Sequence, residues 1–172
     1  ANPQCQTSES PRILVWGDSY AMHWVEGIRV SSSEGLVQAT RSTCGPFAGA
    51  AGFNVEGWYN LEWARKCIKF NQDVLAYLKA TPSIEVVLLG SPFGQLLPGG
   101  KVLALKPSNM AGGDVFLEVQ GGNDLAANSL LETVKNIRNL GRRVILVAPP
   151  PAASGVDFGR CLELKAGGEG NM

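Results

Sequence analysis

The fold is decided by Ile13-Leu14-Val15-Trp16-Gly17-Asp18-Ser19, an apolar run that ends in a glycine, an aspartate and a serine. The run is typical of a buried β-strand, and a glycine permits the bend after it. A serine placed there opens a helix just past the carboxyl end of a parallel strand, where open α/β sheets bind ligands. Unpaired N–H groups of the new helix are suited to a developing oxyanion, so Ser19 is the candidate nucleophile. The same three residues are equally typical of an ordinary turn in which Asp18 or Ser19 caps a helix.

The amino-acid composition is typical of one globular domain. The chain has 172 residues, of which 45% are hydrophobic and 17% charged, enough to bury a core within a single domain over residues 1–172. Fifteen Lys and Arg balance fifteen Asp and Glu, so the overall charge gives no argument for nucleic acid as a partner. The sequence has no apolar run of about 18 residues that predicts a membrane span. It also has no Walker-type loop and no Gly-x-Gly-x-x-Gly after a strand, and we expect no cofactor.

Four cysteines, Cys5, Cys44, Cys67 and Cys161, lie far apart and form no Cys-x-x-Cys pair. This spacing gives little support to a metal site or a redox motif, so we expect no metal. Disulfides are the preferred interpretation, and of the three possible pairings we favour Cys44 with Cys67, which leaves Cys5 with Cys161. Four free thiols in a cytosolic protein are the alternative. Two bridges would indicate an oxidising compartment, with the export signal in an upstream part of a longer protein.

Hydrophobic periodicity alternates between strands and helices. Strands are predicted at residues 12–16, 35–40, 84–89 and 144–147, with a possible short strand at 115–119. Helices are predicted at about 20–32, 61–80 and 125–140, and residues 44–57 and 91–113 are expected to be loops. The first helix has an apolar stripe of Ala21, Trp24, Val25 and Ile28. The alternation predicts a three-layer α/β/α domain around a central, mostly parallel sheet, with the functional loops at the carboxyl ends of the strands.

Several blocks together resemble a known family. Residues 13–24, ILVWGDSYAMHW, resemble the first block of the SGNH hydrolases, specifically of the SGNH domain attached to membrane acyltransferase-3 proteins that O-acetylate bacterial surface polysaccharides. Residues 42–46, STCGP, resemble that subgroup's Cys-Pro turn after the second strand. Residues 67–71, CIKFN, followed by VVLL at 86–89, resemble its Cys-x-x-x-Asn helix and third strand. The segments VILVAPP at 144–150 and DFGRC at 157–161 are similar to its fourth strand and trailing cysteine.

The resemblance implies a site for acyl transfer or ester hydrolysis. Ser19 would be the nucleophile and its own N–H an oxyanion donor, with Gly45 as the second donor. Pro92 stands where the family has the Asn of a Gly-x-Asn block, so we expect Asn71 to be the substitute donor or, with equal weight, a local cap or loop tie. Gly17 and Asp18 would be structural residues of the turn.

The resemblance leaves the general base open. The family supplies it from an Asp-x-x-His block near its carboxyl end, and this sequence has no such block. The single histidine, His23, lies one turn along the helix from Ser19 and is a weak candidate for the base, against an ordinary surface or packing role. We favour a domain that continues beyond Met172 into its last strand and its catalytic carboxyl-terminal segment.

The expected function is a periplasmic O-acetyltransferase domain that works through an acyl-serine. The resemblance implies two partners, a membrane acyltransferase domain that delivers the acetyl group and a polysaccharide that accepts it. One alternative is a carbohydrate acetylesterase. Another is an inactive sugar-binding or partner-binding domain that uses Trp58, Tyr59 and Trp63. A weaker one is a cytosolic flavodoxin-like domain whose Gly17-Asp18-Ser19 turn binds phosphate.

Overall fold

The computed structural model describes residues 5–106 and 115–149. Seven strands and three helices follow one another along these residues. They are β1 Ile13–Gly17, α1 Ser19–Ser31, β2 Leu36–Thr40, β3 Ala50–Phe53, α2 Leu61–Ala80, β4 Val86–Gly90, β5 Lys101–Lys106, β6 Val115–Gln120, α3 Asn123–Asn139 and β7 Arg143–Val147. Within these ranges, no helix combines the length and the apolar character needed to cross a membrane.

Four strands form a parallel sheet in the order β2-β1-β4-β7. Gly17 is in register with Thr40 and Gly90, and Gly90 with Val147, so the four carboxyl ends share one edge. Alternate residues of the strands point to opposite faces. One face packs on α2 and α3 in the largest core cluster, and the other packs on α1. The predicted three-layer α/β/α architecture with a mostly parallel sheet is confirmed.

A second sheet of three antiparallel strands, β3-β5-β6, corrects part of the prediction. Strands β3 and β5 lie within residues 44–57 and 91–113, which the sequence predicts as loops. The sequence of β3, Ala-Ala-Gly-Phe, has no β-branched residue, and the sequence of β5, Lys-Val-Leu-Ala-Leu-Lys, has only one. Both strands are stabilised by pairing with each other and by packing of Ala51 and Leu103 against Ala64 and Ile68 of α2. Strand formation here depends on tertiary context, which local propensity does not report.

Helix α2 has the predicted bounds, and the Asn60 side chain caps it by accepting a hydrogen bond from the Trp63 N–H at 3.1 Å.

In α1 the predicted apolar stripe is narrower than expected. Ala21 is buried, but 49% of Trp24 is exposed, so its assignment to the stripe was wrong. Three residues after Ala21, Trp24 is rotated about 60° from it around the helix axis, at the flank of the contact with the sheet.

A disulfide joins Cys44 to Cys67, with 5.6 Å between their Cα atoms. It ties the loop after β2 to the middle of α2. Because 23 positions separate the two cysteines, the chain-entropy description assigns such a bridge a stabilisation of about 3 kcal/mol. Cys5 is exposed, and Cys161 lies outside the described residues, so the second pairing stays a prediction.

Candidate active site

Ser19 is the first residue of α1 and follows β1 at the carboxyl edge of the parallel sheet. It is half-buried, whereas Asp18 before it is 1% exposed. The Asp18 side chain caps the helix by accepting a hydrogen bond from the Tyr20 N–H at 2.9 Å. The cap therefore belongs to Asp18, and among the described residues no side chain forms a hydrogen bond with the Ser19 hydroxyl.

The second carboxylate oxygen of Asp18 is held by two residues that follow β4. The Ser91 hydroxyl donates to it at 2.8 Å and the Gln95 side-chain amide donates to it at 2.9 Å. Gln95 also donates to the Ser91 hydroxyl oxygen at 3.1 Å. Both carboxylate oxygens of Asp18 are thus engaged, and the arrangement fixes the turn that presents Ser19. Sequence reasoning gave neither residue a role in the site, because Ser91 is the variable position of the Gly-x-Asn block and Gln95 lies in a stretch predicted as a loop.

Asn71 lies in α2 with only 1% of its surface exposed and connects two parts of the site. Its carbonyl oxygen accepts a hydrogen bond from the Trp16 indole N–H at 2.9 Å. Its amide donates to the backbone carbonyls of Gly45 at 3.0 Å and Phe47 at 3.2 Å. Both amide hydrogens are thus directed at backbone carbonyls of the loop after β2, which is the contact expected of a loop tie. Asn71 anchors the loop that carries Gly45 to the end of β1.

Gly45 lies beside the Asp18 network. A Cβ atom built on Gly45 would stand 3.1 Å from Gln95 Oε1, and the amide of the same Gln95 side chain contacts Asp18. The loop is also joined to the turn through its backbone, because the Arg41 N–H donates to the Gly17 carbonyl and the Cys44 N–H donates to the Arg41 carbonyl. Within the described residues the Gly45 N–H has no acceptor. The N–H of Ser19 is likewise one of the first N–H groups of a helix, which have no intrahelical partner. Ser19 and Gly45 thus lie on two segments that both contact Asp18 or Gln95.

We expect Asn71→Asp to destabilise the protein by about 2–6 kcal/mol. The carboxylate keeps the side-chain size but has no hydrogen to donate, so two buried carbonyls lose their partners at about 1–3 kcal/mol each. Urea unfolding followed by circular dichroism measures the change. Gln72→Glu, the same chemical change at the next position, is the matched control and leaves the midpoint nearly unchanged. Equal midpoints for the two variants would contradict the role given to Asn71.

The only histidine lies on the outer surface of α1. His23 is exposed, and its ring centroid is 6.2 Å from that of Tyr20. In the part of the chain that the structure describes, it forms no hydrogen bond with Ser19. The geometry brings together Ser19, Asp18, Gly45 and Asn71, and it does not bring His23 to the hydroxyl.

The family model of the SGNH domain (fused to AT3 domains) matches residues 1–171 of the chain. Comparisons with curated proteins and with solved structures give no significant match. The family match covers nearly the whole sequence, and it includes the strand, turn and helix that present Ser19. The chain therefore belongs to the family of SGNH domains that are fused to AT3 domains.

Proposed function

We propose that this chain is the extracytoplasmic acyl-transfer domain of a polysaccharide O-acetyltransferase, with Ser19 as the nucleophile. A membrane acyltransferase domain of the AT3 type delivers the acetyl group, and a hydroxyl of a bacterial surface polysaccharide accepts it. The observation that carries the proposal is the placement of the half-buried Ser19 at the start of α1, where its N–H is one of the first of the helix. Gly45 is connected to the turn before Ser19 through Gln95 and Asp18. Backbone donors so placed stabilise the oxyanion of a tetrahedral intermediate.

Two further observations support this proposal. The family is described by its fusion to AT3 domains, which supports a membrane acyltransferase as the partner that supplies the acetyl group. The Cys44–Cys67 disulfide is typical of an oxidising compartment and supports an extracytoplasmic location.

The reaction has two acyl-transfer steps. In the first, Ser19 Oγ attacks the carbonyl carbon of the donor's acetyl group, the bond from that carbon to the donor breaks, and the serine proton passes to the leaving group. In the second, a sugar hydroxyl oxygen attacks the acetyl-serine carbonyl, the bond to Oγ breaks, and the proton of the sugar hydroxyl ends on Oγ. The negative charge develops on the same carbonyl oxygen in both steps, so one pair of backbone donors serves both.

Labelling with a serine-directed fluorophosphonate tests the proposal. In the AT3 fusion protein, which must supply the general base that the described residues do not place at Ser19, we expect one stoichiometric adduct in the intact mass, located by peptide mapping on the segment that contains Ser19. Protein unfolded in urea is the control and stays unlabelled, because activation of the hydroxyl requires the folded site. A folded protein with the Cys44–Cys67 bridge formed and no adduct on Ser19 would contradict the proposal.

A further inference from the structure

A cleft of about 190 Å³ lies next to the candidate active site. It is bounded by the loop after β2, by β3, by the start of α2 and by the segment that leads into β5. Nine residues line it: Thr43, Gly52, Phe53, Asn54, Tyr59, Trp63, Gln95, Gly100 and Lys101. Gln95 lies between the cleft and the candidate active site. It lines the cleft, and its side-chain amide donates a hydrogen bond to Asp18, the residue before Ser19. An occupant of this cleft therefore lies beside the turn that presents the nucleophile.

The cleft combines an aromatic wall with hydrogen-bonding groups. Tyr59 and Trp63 pack edge to face with ring centroids 5.2 Å apart. The Asn54 N–H donates to the Tyr59 carbonyl at 2.7 Å, which fixes the segment carrying Tyr59. The side chains of Thr43, Asn54 and Gln95 supply donors and acceptors. A pyranose ring has the complementary chemistry, because its C–H face packs on the negative face of an aromatic ring and its hydroxyls point outward to polar groups.

The volume of the cleft and the charge of its lining restrict the kind of ligand that it can bind. A cleft of about 190 Å³ is smaller than the roughly 300–1,000 Å³ that drug-sized ligands occupy, so it is suited to one sugar ring. Lys101 brings a positive charge to the rim, and the described lining residues include no carboxylate. The local charge therefore favours a ring that carries an anionic group, although the chain as a whole has no net charge.

We propose that this cleft binds one sugar ring of the acceptor polysaccharide, with a preference for a ring that carries a carboxylate. The assignment as an acceptor subsite rests on the proposed function, because it takes acetyl-serine at Ser19 as the group to be transferred. The aromatic wall holds the ring, Gln95 links the ring's position to the Asp18 turn, and Lys101 pairs with the carboxylate.

Titration with methyl glucuronide and methyl glucoside, followed by saturation-transfer NMR, tests the cleft without an acetyl donor. We expect both to bind, the glucuronide about threefold more tightly, which is the scale of an exposed ion pair. Trp63→Ala weakens both by about tenfold, the upper end of what one aromatic contact contributes. Trp58→Ala is the matched control, because Trp58 is 92% exposed and does not line the cleft.

A second variant separates recognition from folding. Trp63 also packs against the core cluster that contains Cys44 and Cys67, whereas Lys101 is exposed. Lys101→Gln therefore leaves the fold intact and removes the preference for glucuronide, and Lys106→Gln at the other end of β5 does not. Binding of neither sugar, or equal binding by the native protein and both cleft variants, would overturn the proposal.

Different experimental results would contradict the acyl-transfer proposal and the sugar-binding proposal. Fluorophosphonate labelling of Ser19 without sugar binding would overturn the subsite and leave acyl transfer standing. Sugar binding that depends on Trp63 and Lys101, without labelling of Ser19, would overturn acyl transfer and support the cleft of a sugar-binding domain.

Discussion

Replacing Ser19 by alanine in the AT3 fusion protein is expected to reduce turnover of an activated acetate ester by about 10⁴-fold or more, because removal of the nucleophile of a serine site leaves only binding and oxyanion stabilisation. The free energy of unfolding should stay within about 0.5 kcal/mol of the native value, since Ser19 is half-buried and no described side chain forms a hydrogen bond with its hydroxyl. The helix cap is also kept, because Asp18 provides it. Release of p-nitrophenolate from p-nitrophenyl acetate measures the turnover.

Ser31→Ala is the matched control for this prediction. Ser31 is the last residue of the same helix, and among the residues that the structure describes its hydroxyl donates only to the Ile28 carbonyl, at 3.5 Å. We expect it to keep native turnover. Undiminished turnover in Ser19→Ala would show that the ester is cleaved elsewhere, and equal losses in both variants would point to damage to α1 and not to loss of a nucleophile.

The parallel sheet and its helices could be predicted because their sequence patterns are strong. The central strands are apolar at nearly every position, as strands covered on both faces must be, and α2 has a long 3.6-residue periodicity. Of the antiparallel sheet only β6 was predicted, as the possible strand at 115–119. Strand β3 could not be predicted, because three of its four residues are small and its stability comes from β5 and α2. A short strand of this kind can be identified only when the strands that pair with it are known.

The candidate site, like the fold, could be predicted only in part from the sequence. Ser19 and the turn residue Asp18 were predicted from the pattern of strand, turn and helix, whereas Gly45 and Asn71 were expected only because the sequence resembles the SGNH domains. The contacts among them were not predictable, since they join residues far apart in sequence. Asn71 is 55 positions from Trp16, and Gln95 is 77 from Asp18. The sequence therefore identified the residues of the turn, while the roles of Asn71 and Gln95 in holding it depend on the packing of α2 and the loop after β4.

Replacing Gly17 by alanine is expected to destabilise the protein by about 2–5 kcal/mol. A Cβ atom at this position would stand 1.9 Å from the Gly90 carbonyl oxygen and 3.0 Å from Ala21 Cβ, so β1, β4 and α1 would have to move apart. Overpacking of this kind costs about 1–3 kcal/mol. The backbone φ of +152° adds strain for a residue with a side chain, by about 1–2 kcal/mol. Urea unfolding measures the loss, and labelling of Ser19 by fluorophosphonate should fall with it, because the same displacement moves the turn.

Gly27→Ala makes the same chemical change ten positions later and should change the free energy of unfolding in the opposite direction. Gly27 lies within α1, and a Cβ atom there would meet nothing within 4 Å. Alanine is the better helix former by about 0.5–1 kcal/mol, so this variant should be more stable than the native protein. Opposite shifts in the two variants would locate the requirement for glycine at the crossing of β1, β4 and α1. A native midpoint in Gly17→Ala would show that the turn before Ser19 accommodates a side chain, and the close approach of Gly17 to Gly90 would then not be what positions the nucleophile.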